Sequence, residues 1–159
     1  MKTIRVTNSL KLIMVDDEDY ERCNQYNWSL GGSSNKDFAP QTTTNYRVTK
    51  ISNMVMQNFT NMFDHKNQDS FDNKKENLRI TTYSQNNANR KKYKGNYSSK
   101  YKGVSYKKDS DIYTTCIMVN KKAIHLGSYL FEVDAAKAYN RAARKYFGEF
   151  ASLNKIEKD

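Results

Sequence analysis

Apolar and polar positions alternate in short runs along most of the chain and switch to a helical period only near its end. Residues 3–6 and 10–15 have strand character, and residues 16–26 open with Asp16, Asp17, Glu18 and Asp19, acids suited to the positive end of a helix. Residues 31–44 read as a polar loop containing Gly31-Gly32-Ser33-Ser34 and the single proline, Pro40, and a short strand is expected over 46–49. Met54, Val55, Met56 and Phe59 mark a short helix over 52–59. Phe63 and Ile80 bracket a polar stretch, and residues 84–90 predict a further helix. Residues 88–102 hold Arg90, Lys91, Lys92, Lys94 and Lys100 with almost no aliphatic side chains, which reads as a basic linker.

Beyond that linker the pattern sharpens. Residues 104–107, 113–119 and 123–129 alternate with period two and are separated by turn-prone segments at 108–111 and 120–122. From 132 to 147 the period becomes helical, with Ala135, Ala138, Tyr139, Ala142, Ala143 and Tyr146 on one face. Glu132 and Asp134 suit its start, Arg144 and Lys145 its end, and Gly148 sits where a C-terminal cap belongs. The expected unit is a three-stranded antiparallel sheet packed on one alanine-faced helix. Alternation turns Val104, Tyr106, Thr115, Ile117, Ile124 and Leu126 toward that helix, together with Val119. Ser105, Lys107, Thr114, Cys116, Met118 and His125, with Ala123, then form the opposite face, ringed by Lys102, Lys108, Lys121 and Lys122.

Composition narrows the partners. The chain has 159 residues and a formal net charge of +10, so a polyanion is the expected partner and nucleic acid leads the list. The charge is uneven: residues 1–90 carry 12 Lys+Arg against 10 Asp+Glu, and residues 91–159 carry 15 against 7, which makes the C-terminal part the electrostatic handle. No stretch approaches the roughly 20 apolar residues needed to span a bilayer, so no membrane partner is expected. Cys23 and Cys116 are far apart and lack a Cys-x-x-Cys pattern, which points away from a disulfide framework or a zinc knuckle. With no apolar signal region after Met1, the expected setting is intracellular rather than secreted.

Tyr101-Lys102-Gly103-Val104-Ser105, His125-Leu126-Gly127-Ser128-Tyr129, Asp134-Ala135-Ala136-Lys137-Ala138-Tyr139-Asn140-Arg141 and Tyr146-Phe147-Gly148-Glu149-Phe150 resemble the AP2 DNA-binding domain, in that family's order and spacing. The resemblance runs from about 99 to 154. It implies a sheet docked in the DNA major groove, with contacts from Lys102, Ser105, Lys107, Lys121, Lys122 and His125. Plant members carry arginines and tryptophans where this chain has Ser105, Cys116, Met118 and His125, and arginine is the commonest guanine reader.

The two histidines make their surroundings informative. Asp64-His65 precedes the polar stretch Lys66-Asn67-Gln68-Asp69-Ser70-Phe71-Asp72-Asn73, and Ser84-Gln85-Asn86-Asn87-Ala88-Asn89-Arg90 follows on the expected helix. Phosphodiester hydrolysis requires a divalent ion against the developing phosphate charge and a base to deprotonate water. Asp64 and the side-chain oxygen of Asn86 are hard ligands suited to Mg²⁺ or Mn²⁺. His65, with an ordinary pKa of about 6.5, suits the base.

These residues, with Asp72-Asn73-Lys74-Lys75-Glu76-Asn77-Leu78-Arg79 between them, resemble the HNH endonucleases, particularly the small phage and intron-encoded homing type. Asp17-Glu18-Asp19-Tyr20-Glu21 through Trp28 looks like the opening of such proteins. The resemblance implies a ββα-metal motif in which His65 is the general base, Asp64 and Asn86 are metal ligands, and Asn77 fixes the loop that orients the histidine. It also implies phosphate contacts from Arg79 and Arg90. Many relatives carry a His-Arg pair where this chain has Ser52-Asn53, and this departure motivates the alternative of an inactive, HNH-derived DNA-binding regulator.

The expected fold class is therefore α+β. A nuclease domain over 1–90, a ββα-metal unit with flanking strands and helix, joins through a linker at 91–98 to an AP2-like domain over 99–154, with a tail at 155–159. The expected partner is double-stranded DNA, with no small-molecule cofactor and a monomer or weak dimer. The resemblance places the protein in a phage- or virus-infected cytoplasm, or a nucleoid or nucleus.

Overall fold

The computed structural model describes residues 1–31, 39–92 and 95–156. Residues 32–38 of the expected polar loop, 93–94 of the expected linker and 157–159 of the expected tail lie outside the described residues. The fold is mixed α+β, with several small antiparallel sheets and four α-helices among the described residues. Contacts divide the chain into two compact units, Met1–Thr82 and Tyr83–Asp159.

The first unit opens with a hairpin of β1 (Lys2–Val6) and β2 (Ser9–Val15), in which Ile4 pairs with Ile13. Helix α1 (Asp17–Asn24) follows with three acids in its first turn, as the helix dipole favours. Asp19, the third of these acids, is 1% exposed and pairs with Arg22. Arg22 also donates to the carbonyls of Met54 and Val55 (both 3.2 Å), which closes the end of α2 (Ile51–Val55). A strand interrupts the expected loop at 31–44. β3 (Ser29–Leu30) and β4 (Pro40–Thr44) pair, and β4 pairs in turn with β5 (Arg47–Lys50). Threonines at 42–44 favour a strand, and Pro40 occupies its first position, where a missing N–H is tolerated. The turn joining β4 to β5 holds Asn45 (φ 47°) and Tyr46 (φ 61°), both left-handed, as a two-residue hairpin requires.

The expected helix over 52–59 is shorter than its apolar members suggest. Gln57 turns left-handed (φ 49°), and the Asn58 side chain accepts from the backbone of Thr60 and Asn61 (both 3.1 Å), a turn that leaves Phe59 63% exposed. β6 (Met62–His65) and β7 (Leu78–Thr81) then form the last hairpin of the unit. The core gathers residues from many parts of the unit: Ile13, Val15, Trp28, Ile51, Val55 and Phe71 are all buried. Trp28 is fully enclosed and donates its indole N–H to the Cys23 carbonyl (2.8 Å).

The second unit begins with α3 (Tyr83–Asn89). β8 (Val104–Lys107), β9 (Ile112–Val119) and β10 (Lys122–Tyr129) form an antiparallel sheet with β9 central, and α4 (Glu132–Phe147) packs on it. Val104, Thr115 and Ile117 are buried against the helix, while Ser105, Lys107, Cys116, Met118 and His125 are exposed. A bulge between His125 and Gly127 shifts the β9–β10 register. Gly103 (φ 76°) permits a close approach, because a Cβ there would lie 2.2 Å from the Tyr139 ring and 2.7 Å from the Cys116 carbonyl oxygen. The α4 stripe differs from the expected one in its last turn. Tyr146 is 41% exposed, and Phe147, four residues after Ala143, packs beside Ile117 and Tyr139 instead. Both cysteines are free thiols, Cys23 buried and Cys116 exposed. Among the described residues no helix is long and apolar enough to cross a membrane.

Candidate active site and nucleic-acid surface

The β6–β7 hairpin sets the chemistry of the first unit. Asp64 and His65 end β6, opposite Arg79 and Leu78 of β7, and the connection between them is long and polar. Phe71 anchors such a loop to the core, and the polar remainder must take its shape from hydrogen bonds. Asn77 supplies three. Its side-chain N–H groups donate to the Asp72 carbonyl (2.7 Å) and to Asn67 Oδ1 (3.0 Å), and its Oδ1 accepts from the Asn67 backbone (3.0 Å). Asn67 donates in turn to Asp72 Oδ2 (2.8 Å), so three side chains close the loop on itself.

His65 meets Asn73, which is fully buried, with its Nε2 3.0 Å from Asn73 Oδ1. The Asn73 amide N–H donates to the Ser70 carbonyl (3.0 Å), which fixes the oxygen toward the imidazole. An oxygen acceptor requires Nε2 to carry the proton, so the neutral ring holds its lone pair on Nδ1. Burial holds the His65 pKa below its ordinary value, against the opposing pull of Asn73 and of the carboxylates of Asp64, Asp69 and Asp72. The imidazole is thus neutral at neutral pH, as a base must be. Asn73 is anchored beyond the loop: its backbone N–H donates to the Met14 carbonyl and the Met14 N–H to the Phe71 carbonyl (both 2.8 Å).

Asp64 is buried and accepts two N–H groups of Arg79 on one oxygen, from Nε at 3.0 Å and Nη2 at 2.8 Å. The guanidinium that the resemblance assigned to phosphate is therefore engaged with the acid across the hairpin. Lys75 ties the loop to α1, its backbone donating to Asp16 Oδ2 (2.8 Å) and its ammonium lying 3.3 Å from Asp19 Oδ2. At the place of the departing His-Arg pair, Ser52 is buried and Asn53 donates to the carbonyls of Asn58 (2.8 Å) and Asn61 (3.1 Å), steadying the approach to β6. Asn86 stands on α3 and Arg90 just after it, both in the second unit. Among the described residues no group of three or more His, Cys, Asp and Glu side chains is placed to hold a metal ion.

Sequence reasoning assigned no role to Asn73. A signal was present: an Asp-Asn pair in the middle of a polar loop invites side-chain to backbone bonding. The partner of that bonding, a histidine eight residues earlier, was not visible in it.

In the second unit, Ser105, Lys107, Lys121, Lys122 and His125 are exposed on the sheet or at its turn. Asn120 (φ 50°) and Lys121 (φ 64°) form a turn of the same left-handed kind as Asn45-Tyr46. His125 pairs with Cys116 across the strands, with Nδ1 3.8 Å from Sγ. Lys102 lies apart from this face. Its ammonium donates to the carbonyls of Ala88 (2.7 Å) and Arg90 (2.5 Å), capping the C-terminal end of α3, and burial pulls its pKa down to about 8.

No family model matches the chain, and no solved structure matches it. A protein of Acanthamoeba polyphaga mimivirus, named as an uncharacterized HNH endonuclease, is 34% identical over 94 residues. That alignment covers 59% of this chain and 47% of the viral protein, so the chain spans about half the length of the curated relative it matches.

Proposed function

We propose that the chain is an HNH-type endonuclease that hydrolyses phosphodiester bonds of double-stranded DNA with the aid of Mg²⁺ or Mn²⁺. The observation that carries this reading is the His65–Asn73 bond at the end of β6 (3.0 Å), which gives a neutral, oriented imidazole beside a buried carboxylate. Similarity to a viral protein named as an HNH endonuclease supports the same class. In this reading β6, β7 and α3 make up the ββα-metal motif, and the sheet of β8 to β10 with α4 is an AP2-like module that docks on the duplex.

His65 accepts the proton of the attacking water on Nδ1, while Asn73 holds Nε2–H and so keeps the ring in that tautomer. Asn77 keeps the loop closed, which holds Asn73 in place through Asp72. The donor chemistry fits a hard divalent ion: Asp64 offers a carboxylate oxygen and Asn86 a carboxamide oxygen. When bound, that ion would neutralise the developing phosphate charge and the leaving oxygen. Arg79 compensates the buried Asp64 carboxylate and sets its orientation. Exposed lysines of the second unit supply phosphate contacts that are independent of sequence.

Purified protein is expected to nick plasmid DNA in Mg²⁺ or Mn²⁺ and to stop when the metal is chelated. His65→Ala should abolish nicking, a loss of at least about 10²-fold for a general base, while duplex binding persists. Equal cutting by the variant would rule His65 out as the base. Binding without cutting by the wild type would replace the enzyme with the inactive regulator.

A further inference from the structure

The resemblance gave the second unit one nucleic-acid surface, the exposed face of its sheet. A second feature of that unit lies apart from that face and gathers Lys102 and Arg90, for which the resemblances implied DNA contacts only one by one. Two adjoining clefts of about 270 and 380 Å³ share Lys91, Lys92 and Lys102 in their walls. The first is completed by Lys100, Lys155 and Asn154, the second by Arg90, Asn87 and Tyr97. Among the described residues six cations therefore line the pair, and no Asp or Glu lines either cleft.

Two of the ammoniums are built in rather than loose. Lys92 donates to the carbonyls of Ser99 (2.7 Å) and Tyr101 (2.8 Å) and lies 4.8 Å from the Tyr97 ring centroid. Lys102 donates to the carbonyls of Ala88 and Arg90. An ammonium has three N–H donors, so each keeps one without a protein acceptor among the described residues. The wall is rigid as well. Asn154 accepts from the Lys102 backbone (2.7 Å), donates to its carbonyl (3.1 Å) and is bonded on both sides to Asn140 of α4. Burial holds both lysines below their ordinary pKa. The acid nearest in the bonding is Glu132, which accepts from the Lys100 backbone (3.1 Å) and pulls the Lys92 pKa the other way.

A concave, carbonyl-braced set of cations with spare donors and no carboxylate suits a tetrahedral oxyanion. We propose that these clefts seat backbone phosphates of the bound DNA duplex, as a second anchor distinct from the sheet face. The inference rests on the DNA-binding part of the proposed function. Its role is to hold the duplex at the start of the module, through contacts that carry affinity and no base preference.

The test uses the full chain with metal chelated and a labelled duplex, and measures binding over a range of salt. The variant Lys91→Gln/Lys100→Gln/Lys155→Gln changes only exposed side chains of the clefts. Its log affinity against log salt should be shallower than wild type by about 2 to 3, since each phosphate contact contributes about 0.9. A control, Lys137→Gln/Arg141→Gln/Lys145→Gln, removes equal charge from exposed positions of α4 and should change the slope by less than about 1. Inorganic phosphate should perturb the Lys92 and Lys102 ammonium signals in nitrogen-detected NMR, and the duplex should displace it. A wild-type slope in the cleft variant, an equal loss in the control, or phosphate that stays bound alongside the duplex would each overturn the proposal. In those cases the duplex still binds and the nuclease reading stands. Failure of the wild type to bind any duplex would bring down both.

Discussion

The two units hold their functional groups by opposite means. In the first, the groups that matter are polar, buried and secured by one another: Asn77 closes a loop, Asn73 holds His65, and Arg79 holds Asp64. In the second, an apolar sheet-helix interface does the structural work, and the charged groups stand outside it. The contrast teaches where precision is needed. On the proposed reading His65 is a general base, which must be aimed to a fraction of an ångström, so its supports are specific and short-range. Phosphate binding tolerates looser placement, because it works through charge and number.

Breaking the first core should separate the two halves of the function most sharply. Trp28→Ala removes a fully buried indole and its bond to Cys23, and should destabilise the first unit by about 3–5 kcal/mol. Nicking should disappear while duplex binding by the second unit remains. Loss of both, measured by parallel nicking and anisotropy assays, would show that the contrast is not one of separable units. The reciprocal break is Gly103→Ala. A methyl group cannot enter between the Tyr139 ring and the Cys116 carbonyl, and the left-handed backbone adds strain, so the second unit should lose about 2–4 kcal/mol. A urea titration followed by tyrosine fluorescence would measure it, with DNA affinity falling in step.

A smaller effect comes from pH. Lys102 has its pKa pulled by burial from 10.5 to about 8 in the folded chain. Between those values the unfolded chain binds more protons, so stability rises with pH across the window, and the penalty is present in full below pH 8. Allowing for solvent screening, the second unit should gain on the order of 1 kcal/mol between about pH 7.5 and pH 9.5. Lys102→Met should flatten that rise. Tyr139, pushed up to about 12 by burial, acts the other way only above pH 10, where the unfolded phenol ionises first. The smallest effect is a gain. Tyr46 adopts a left-handed backbone that glycine takes freely, so Tyr46→Gly should stabilise the first unit by up to about 1 kcal/mol in thermal melts.

The same contrast explains what could be read from the chain beforehand. Alternation gave β8, β9 and β10 to within a residue, and the period from 132 to 147 gave α4, because that core is built of regular stripes. The stripe failed only at Tyr146, where the exchange with Phe147 depends on what lies beneath the last turn. Beyond the alternating Ile4, Val6, Ile13 and Val15 of its first hairpin, the first unit has no stripe. Trp28 and Phe71 lie outside its strands and helices, and Asp19 and Asn73 are polar yet buried, so periodicity could not find them. β4 hid in a polar loop because its side chains are threonines and its first residue is a proline. Within the candidate site, the place of Asp64 and His65 at a strand end was legible. The bonds that aim them were not, since Asn73 acts on His65 through a fold-back of the chain.

That fold-back has a consequence for anyone wishing to reuse the site. The imidazole is aimed by Asn73, and Asn73 is tethered to Met14 in the first hairpin. A peptide cut to residues 62–90 would therefore carry every letter of the signature and leave its gunsight behind. Grafting the motif into another scaffold means transplanting β2 with it, or designing a substitute strand that offers the same carbonyl.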